Sequence, residues 1–271
     1  MKRRSETKHR PGTTASLLVM DIGNTSITLG LFSGAELRGT HRVSSDREKP
    51  AAAYRGEIDA FLLKEGVGAP LGGVVLSSVV RELEEVLSLA AKGLSTKEPL
   101  RVTRELKTGL TLDVEEPQEL GTDRIANAVA AGDLFGEPVI VADLGTATTL
   151  TAVRGDRLVG GAILSGIGMM ADALHRKTSR LPRVRIEDMH SVPAGALGKN
   201  TTKCILSGII YGTAGAVERI AEGIEEETGS AFLLVITGGY ADMIAPFLKR
   251  DFRLCPDLTL QGLRLLFERN T

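Results

Sequence analysis

The stretch "LLVMDIGNTSITLGLF" at residues 17–32 sets two apolar runs on either side of Asp21, Gly23, Asn24 and Thr25. Asp, Gly and Asn are ordinary turn formers, so taken singly the stretch reads as a hairpin. A second stretch, "VIVADLGTATTLTAV" at residues 139–153, repeats the arrangement. In both, an apolar run ends on an aspartate, Asp21 or Asp143, with glycine two residues on and small hydroxyl residues behind it. Each run is short and bounded by turn residues, as a buried strand is. Two copies opening two halves of the chain argue for duplicated domains rather than incidental hairpins.

Each part of the repeat has a chemical use. A carboxylate at a strand end can hold a hard cation, directly or through water. Glycine lets a phosphate approach the backbone, and turn N–H groups and Thr or Ser hydroxyls donate to phosphate oxygens. Phosphoryl transfer needs mainly positioning and charge neutralisation, which these groups supply. Two such turns facing one another would grip a polyphosphate from both sides.

Working outward, further strands are expected at residues 26–32, 35–43, 73–77 and 100–103, with helices at 50–64 and 81–91. A polar, acidic, Pro-containing stretch at 111–119 reads as a boundary, dividing an N-terminal domain (17–116) from a C-terminal one (117–271). The second half is expected to hold helices at 123–134, 168–176, 202–227, 240–249 and 258–268. Its strands are expected at 139–143, 148–153, 157–164 and 232–236. The class is therefore α/β, with mixed sheets flanked by helices. Residues 1–16 are basic and polar and read as a disordered tail.

Composition narrows the function. The 271 residues are 42% apolar with no Trp, which requires an aliphatic core, and the net charge of −1 gives no support for nucleic acid or an anionic membrane as a main partner. Apolar runs stay short of the ~20 residues of a membrane span. Cys204 and Cys255 form no C-x-x-C pair, which fits a reducing cytoplasm, and Cys204 reads as a small core residue. The four histidines lack zinc spacing, and the absence of a G-x-x-x-x-G-K-[ST] loop excludes a P-loop kinase. The run "GIGMMA" at 166–171 matches a dinucleotide fingerprint only loosely, without a clean βαβ unit around it.

With these motifs in hand, the chain resembles the superfamily of acetate and sugar kinases, Hsp70 and actin, whose two ribonuclease-H-like domains clamp ATP. The runs opening at Asp21 and Asp143 resemble its two phosphate motifs. "ITGGYADMI" at 236–244 resembles its adenosine motif through Gly238 and Gly239. A closer resemblance is to type III pantothenate kinases. It is carried in order by "GTDRIANAVAA" (121–131), "GGAILSGIGMMADALHRKTSRLP" (160–182), "GKNTTKCILSGIIYG" (198–212) and "LTLQGLRLL" (258–266).

That resemblance implies ATP-dependent phosphorylation of pantothenate, the first committed step toward coenzyme A. It implies Asp123 as the general base, and Gly121, Thr122, Asp123, Arg124 and Thr201 as substrate contacts. ATP would lie on Asp21, Gly23, Asn24, Thr25, Ser26, Thr28, Thr146, Gly238 and Gly239. Asp21 would hold Mg²⁺ through water, and Asp143 a monovalent cation, K⁺ or NH₄⁺. It also implies a cytoplasmic homodimer with the substrate pocket at the interface. Two departures stand out: Val114 where the family commonly has a Tyr lining the pantothenate pocket, and Ser165-Gly166 for its Pro-Gly.

The same residues have plainer readings. Asp123 suits the first turn of a helix through the dipole alone, which would also keep it ionised. Arg124 could be an exposed helix charge, and Thr201 an N-cap. Gly208, Gly212 and Gly215 are costly inside a helix and point to close packing against another domain or a second subunit. A non-catalytic regulator binding nucleotide or pantothenate, or a kinase of another small alcohol, are the alternatives.

Overall fold

The computed structural model describes residues 16–136, 138–184 and 195–271. Nearly all of the expected tail lies outside the described residues. Two sheets repeat one plan. In the first, β1 (Leu17–Ile22) pairs antiparallel with β2 (Ser26–Ser33) and parallel with β4 (Gly73–Ser78); β3 (Glu36–Ser44) and β5 (Leu100–Arg101) form the edges. In the second, β7 (Val139–Leu144) pairs antiparallel with β8 (Ala147–Arg154) and parallel with β10 (Leu233–Thr237), flanked by β9 (Arg157–Ser165) and β11 (Phe252–Leu254).

One strand breaks the symmetry. Residues 111–119, read as a linker, contain β6 (Thr111–Leu112) and a 3₁₀ turn at Pro117–Glu119. β6 pairs parallel with β9, so the division expected at 116 falls after a strand of the second sheet.

The first strands are apolar throughout because both faces are covered. Leu18, Met20 and Ile22 of β1 pack with Tyr54, Ile58 and Phe61 of α1 (Ala51–Lys64) and Leu83 and Leu87 of α2 (Arg81–Ala91). The alternate residues Leu17 and Val19 meet Ile125 and Val129 of α3 (Thr122–Phe135) and Leu263 and Leu266 of α7 (Leu258–Asn270). In β7, Ile140, Ala142 and Leu144 face α4 (Ile167–Arg176) and α5 (Thr201–Thr228), while Val139 and Val141 face Ala130, Ala131 and Leu258. Each such buried Leu or Ile contributes about 1.5–3 kcal/mol. Helices α3 and α7 thus fill the space between the sheets, and α7, the last element of the chain, lies against the first sheet.

Several local expectations shift. The helix expected at 240–249 shortens to α6 (Ala241–Ile244) followed by a 3₁₀ turn with Pro246 in its first positions, because proline supplies no N–H there. β11 was not expected. Asn200, not Thr201, caps α5: its side chain accepts the Lys203 N–H at 2.9 Å. A Cβ on Gly208, Gly212 or Gly215 would meet nothing within 4 Å, so close packing against the other sheet's domain is not their role. Cys204 is exposed rather than core. By length and composition α5 could cross a membrane, yet half of its apolar window is buried against the second sheet, as in a core helix.

Candidate active site

The two repeated turns form the centre. In the first, Gly23 N–H donates to Ser26 O at 3.0 Å, and Asn24 and Thr25 stand exposed at the tip. In the second, Gly145 N–H donates to Ala147 O at 3.0 Å, and Thr146 occupies the tip. The tips meet: Thr25 Oγ1 and Thr146 Oγ1 are 2.9 Å apart, one from each sheet.

The carboxylates gather beneath. Asp21 and Asp143 hold equivalent positions, the penultimate residues of β1 and β7, opposite Thr28 and Thr149 respectively. Burial raises Asp21 to about 8, helped by the charges of Asp123 and Asp143 and opposed by Arg42. Burial and the Asp123 charge raise Asp143 to about 6, opposed by the Asn127 amide. The charge of Asp123 on α3 therefore reaches both Asp21 on β1 and Asp143 on β7, and that of Asp143 reaches Asp21, which brings the three acids into one place.

Asp123 stands in the first turn of α3, with Gly121 as the N-cap residue. Its Oδ1 accepts the Arg124 N–H at 2.8 Å. The helix start nevertheless fails to hold Asp123 in the ordinary carboxylate range, because burial outweighs that donor and raises its pKa. Thr122 anchors the turn: its Oγ1 accepts from buried Ser77 at 2.8 Å and lies 3.2 Å from Ser78 O, tying α3 to the end of β4. Arg124 is not the free surface charge of the plainer reading. Its Nε donates to Thr151 Oγ1 at 3.0 Å, and burial lowers its pKa.

Gly238, just after β10, adopts φ +94, and a Cβ there would overlap Asp143 Oδ1 and stand 2.6 Å from Leu144 N. The adenosine-type turn is thereby packed directly on the second phosphate-type turn, where only glycine fits. Gly239 lies beside the guanidinium of exposed Arg42, a β3 residue opposite Thr28.

Thr201 is the expected site residue whose described contacts lie elsewhere. It lines an apolar groove of about 710 Å³ between α4 and α5, with Met170, Leu174, Cys204 and Ile209. Val114, in the place of the family Tyr, packs beside Ala128, Val153 and Leu158.

Three participants received no site role from the sequence, although Asn127 is expected on the helix face of Asp123 and Gly166 in the glycine-rich turn. Arg42 carried no motif. Asn127, at 1% exposure, donates Nδ2 to Asp143 Oδ2 at 2.9 Å; its place one turn after Asp123 was the available signal. Gly166 donates its N–H to Thr146 O at 3.1 Å, and a Cβ on it would overlap that carbonyl. In the Ser165-Gly166 departure, then, the glycine that the turn requires is kept.

Among the described residues, no group of three or more His, Cys, Asp or Glu side chains is arranged to hold a metal ion. Asp21 has no hydrogen-bond donor on its carboxylate among the described residues, and Asp143 has none on Oδ1, which lies beside the Gly238 turn. Hard-oxygen donors of this kind suit Mg²⁺ or K⁺ that takes its other ligands from nucleotide and water.

Paired sheets of one topology with helices between and around them define a protein of the actin-like ATPase fold. The activator of the 2-hydroxyisocaproyl-CoA dehydratase from Clostridium difficile, solved with ADPNP, shares that fold. Its TM-score is 0.58 at 12% identity, covering 94% of this chain and 95% of that one. The family model for type III pantothenate kinases matches residues 17–223. A type III pantothenate kinase of Moorella thermoacetica is 43% identical over 258 residues, 94% of this chain and 100% of that protein. Another, from Brevibacillus brevis, is 40% identical over 256 residues, 94% and 99% respectively. The chain belongs to the type III pantothenate kinase family.

Proposed function

We propose that the chain transfers the γ-phosphoryl group of ATP to the primary hydroxyl of pantothenate, giving 4′-phosphopantothenate and ADP in the first step toward coenzyme A. Asp123 accepts the hydroxyl proton as the oxygen bonds to phosphorus and the bond to the ADP oxygen breaks. A carboxylate held above its usual range by burial is the stronger base. Arg124, fixed by Thr151, presents its remaining N–H donors to the pantothenate carboxylate.

The turn of Gly23, Asn24, Thr25, Ser26 and Thr28 cradles the phosphates from one side and Thr146 from the other. Gly238 and Gly239 line the adenosine side, where Arg42 adds positive charge next to the polyphosphate. Asp21 would hold Mg²⁺, through water, and Asp143 a monovalent cation; both ions would supply positive charge to the triphosphate. Thr201 meets the pantothenate from the α4–α5 groove, and that apolar groove together with the open Gly208, Gly212 and Gly215 supports a homodimer with the substrate pocket at its interface. Val114 leaves the pantothenate pocket without the family's aromatic wall. The active protein is cytoplasmic, with no nucleic-acid or membrane partner.

The observation that carries this reading is the contact of Thr25 with Thr146 at the turns whose aspartates, Asp21 and Asp143, both feel the charge of Asp123. The test is coupled ADP release with Mg²⁺ and K⁺. Turnover is expected with pantothenate and absent without it. Turnover of other small alcohols, but never pantothenate, would overturn the substrate assignment and leave a kinase of another acceptor.

A further inference from the structure

Asn127 is buried, and both ends of its amide are used. Its Nδ2 donates to Asp143 Oδ2 at 2.9 Å, and its Oδ1 accepts from Thr259 Oγ1 at 2.8 Å. The three residues belong to three elements: Asp143 to β7 of the second sheet, Asn127 to α3 between the sheets, and Thr259 to the first turn of α7. An amide carries a donor at one end and an acceptor at the other. The Asp143 carboxylate, which only accepts, takes the NH₂, and the Thr259 hydroxyl donates to the carbonyl and anchors it toward α7. Turned by 180°, the same amide would set its carbonyl oxygen against the carboxylate in a buried site, where an unmatched polar contact is costly.

From this chain of bonds we infer that Thr259 is a positioning residue for the cation site, orienting Asn127 so that one oxygen of Asp143 is held and the other is presented to a monovalent cation. The inference rests on the reading of Asp143 as the cation ligand. The free oxygen, Oδ1, faces the Gly238 turn, where the missing Cβ leaves it room. Without the Thr259 donor, the Asn127 carbonyl loses its anchor on α7, and the NH₂ that holds Asp143 Oδ2 is no longer fixed in place. The relay also joins the helix lying on the first sheet to the carboxylate of the second, so cation occupancy and the relative setting of the two halves are linked through it.

The experiment measures melting temperature against KCl for the full chain with a non-hydrolysable ATP analogue and Mg²⁺, at ionic strength held constant with choline chloride. Wild type is expected to rise with K⁺ to a plateau. Thr259→Val is expected to shift the K⁺ midpoint upward by about three- to tenfold, the effect of losing one neutral hydrogen bond. Thr259→Ser, which keeps the hydroxyl, should stay within about twofold of wild type. In turnover, Thr259→Val should recover at saturating K⁺. Should Thr259→Val fold poorly, Thr259→Ala reads the same midpoint. An unchanged midpoint in Thr259→Val, or a turnover loss that K⁺ does not repair, would overturn the relay and leave Thr259 as packing alone. A wild type and an Asp143→Asn variant equally indifferent to K⁺ would overturn the cation reading itself, and the relay with it.

Discussion

The two aspartate turns share backbone and register but differ in what surrounds the acid. Asp143 receives a hydrogen bond from Asn127 and is raised only to about 6. Asp21 has the Arg42 charge as its one stabilising influence and is raised to about 8. A carboxylate fixed by an amide suits a resident ion held directly. One held loosely, and protonated at neutral pH until a cation arrives, suits a metal that comes and goes with the nucleotide through water. Duplication made two equal turns, and a neighbouring helix made them unequal.

The comparison breaks most visibly at the acid it leaves out. Asp123→Asn is expected to lower pantothenate-dependent ADP release by about 10²–10⁴-fold while the melting temperature holds, since a general base contributes that much. A loss below tenfold would move the base elsewhere. Next comes nucleotide binding: Arg42→Ala should raise the KM for ATP about tenfold and leave the KM for pantothenate unchanged, as expected for one charge-assisted contact. Equal changes in both constants would remove Arg42 from the nucleotide.

The difference between the two acids can be read directly from stability without metal or nucleotide. A folded acid with a raised pKa adds stability that is full below its ordinary value of 3.8 and is lost as pH rises through the raised value. For Asp143 that loss ends near pH 6, and for Asp21 it continues to about 8. Between pH 6 and 8, therefore, Asp21→Asn should gain about 3–5 °C over wild type in melting temperature, while Asp143→Asn should gain no further. Parallel curves for the two variants would erase the distinction.

The smallest effect is expected far from the turns, in a brace found in the second half. Arg250 pairs with Glu225 at 2.5 Å, and Glu225 accepts the Phe232 N–H at 2.7 Å. The Arg250 hydrogen bond holds the Glu225 carboxyl below its usual range. Its contribution is present above the ordinary Glu value and is lost as pH falls through the lowered one. Glu225→Gln should cost about 1–3 kcal/mol at pH 7 by denaturant unfolding and progressively less in acid, with turnover unchanged.

Much of this was legible in the chain itself. The strands around Asp21 and Asp143 were readable because a strand covered on both faces must be apolar throughout, and the turns because Asp, Gly and Thr recur at matched spacing. The start of α3, with Asp123 in its first turn, followed from the motif at residues 121–131. The electrostatics of these acids was not legible: the helix start suggested an Asp123 held in the ordinary carboxylate range, whereas burial outweighs the helix start and raises its pKa. Arg42 escaped because its position depends on β3 lying beside the Gly238–Gly239 turn of the other sheet.

By itself the sequence determined local matters, namely which segments are strands or helices, where the two turns fall and which residue types they carry, since period, capping and turn chemistry act over a few residues. Tertiary structure alone decided that Thr25 touches Thr146, that β6 joins the second sheet, that α7 covers the first, and that Thr259 reaches Asp143 through Asn127. Those contacts join residues far apart in the chain. They arise from packing two sheets around shared helices, and no local pattern encodes that.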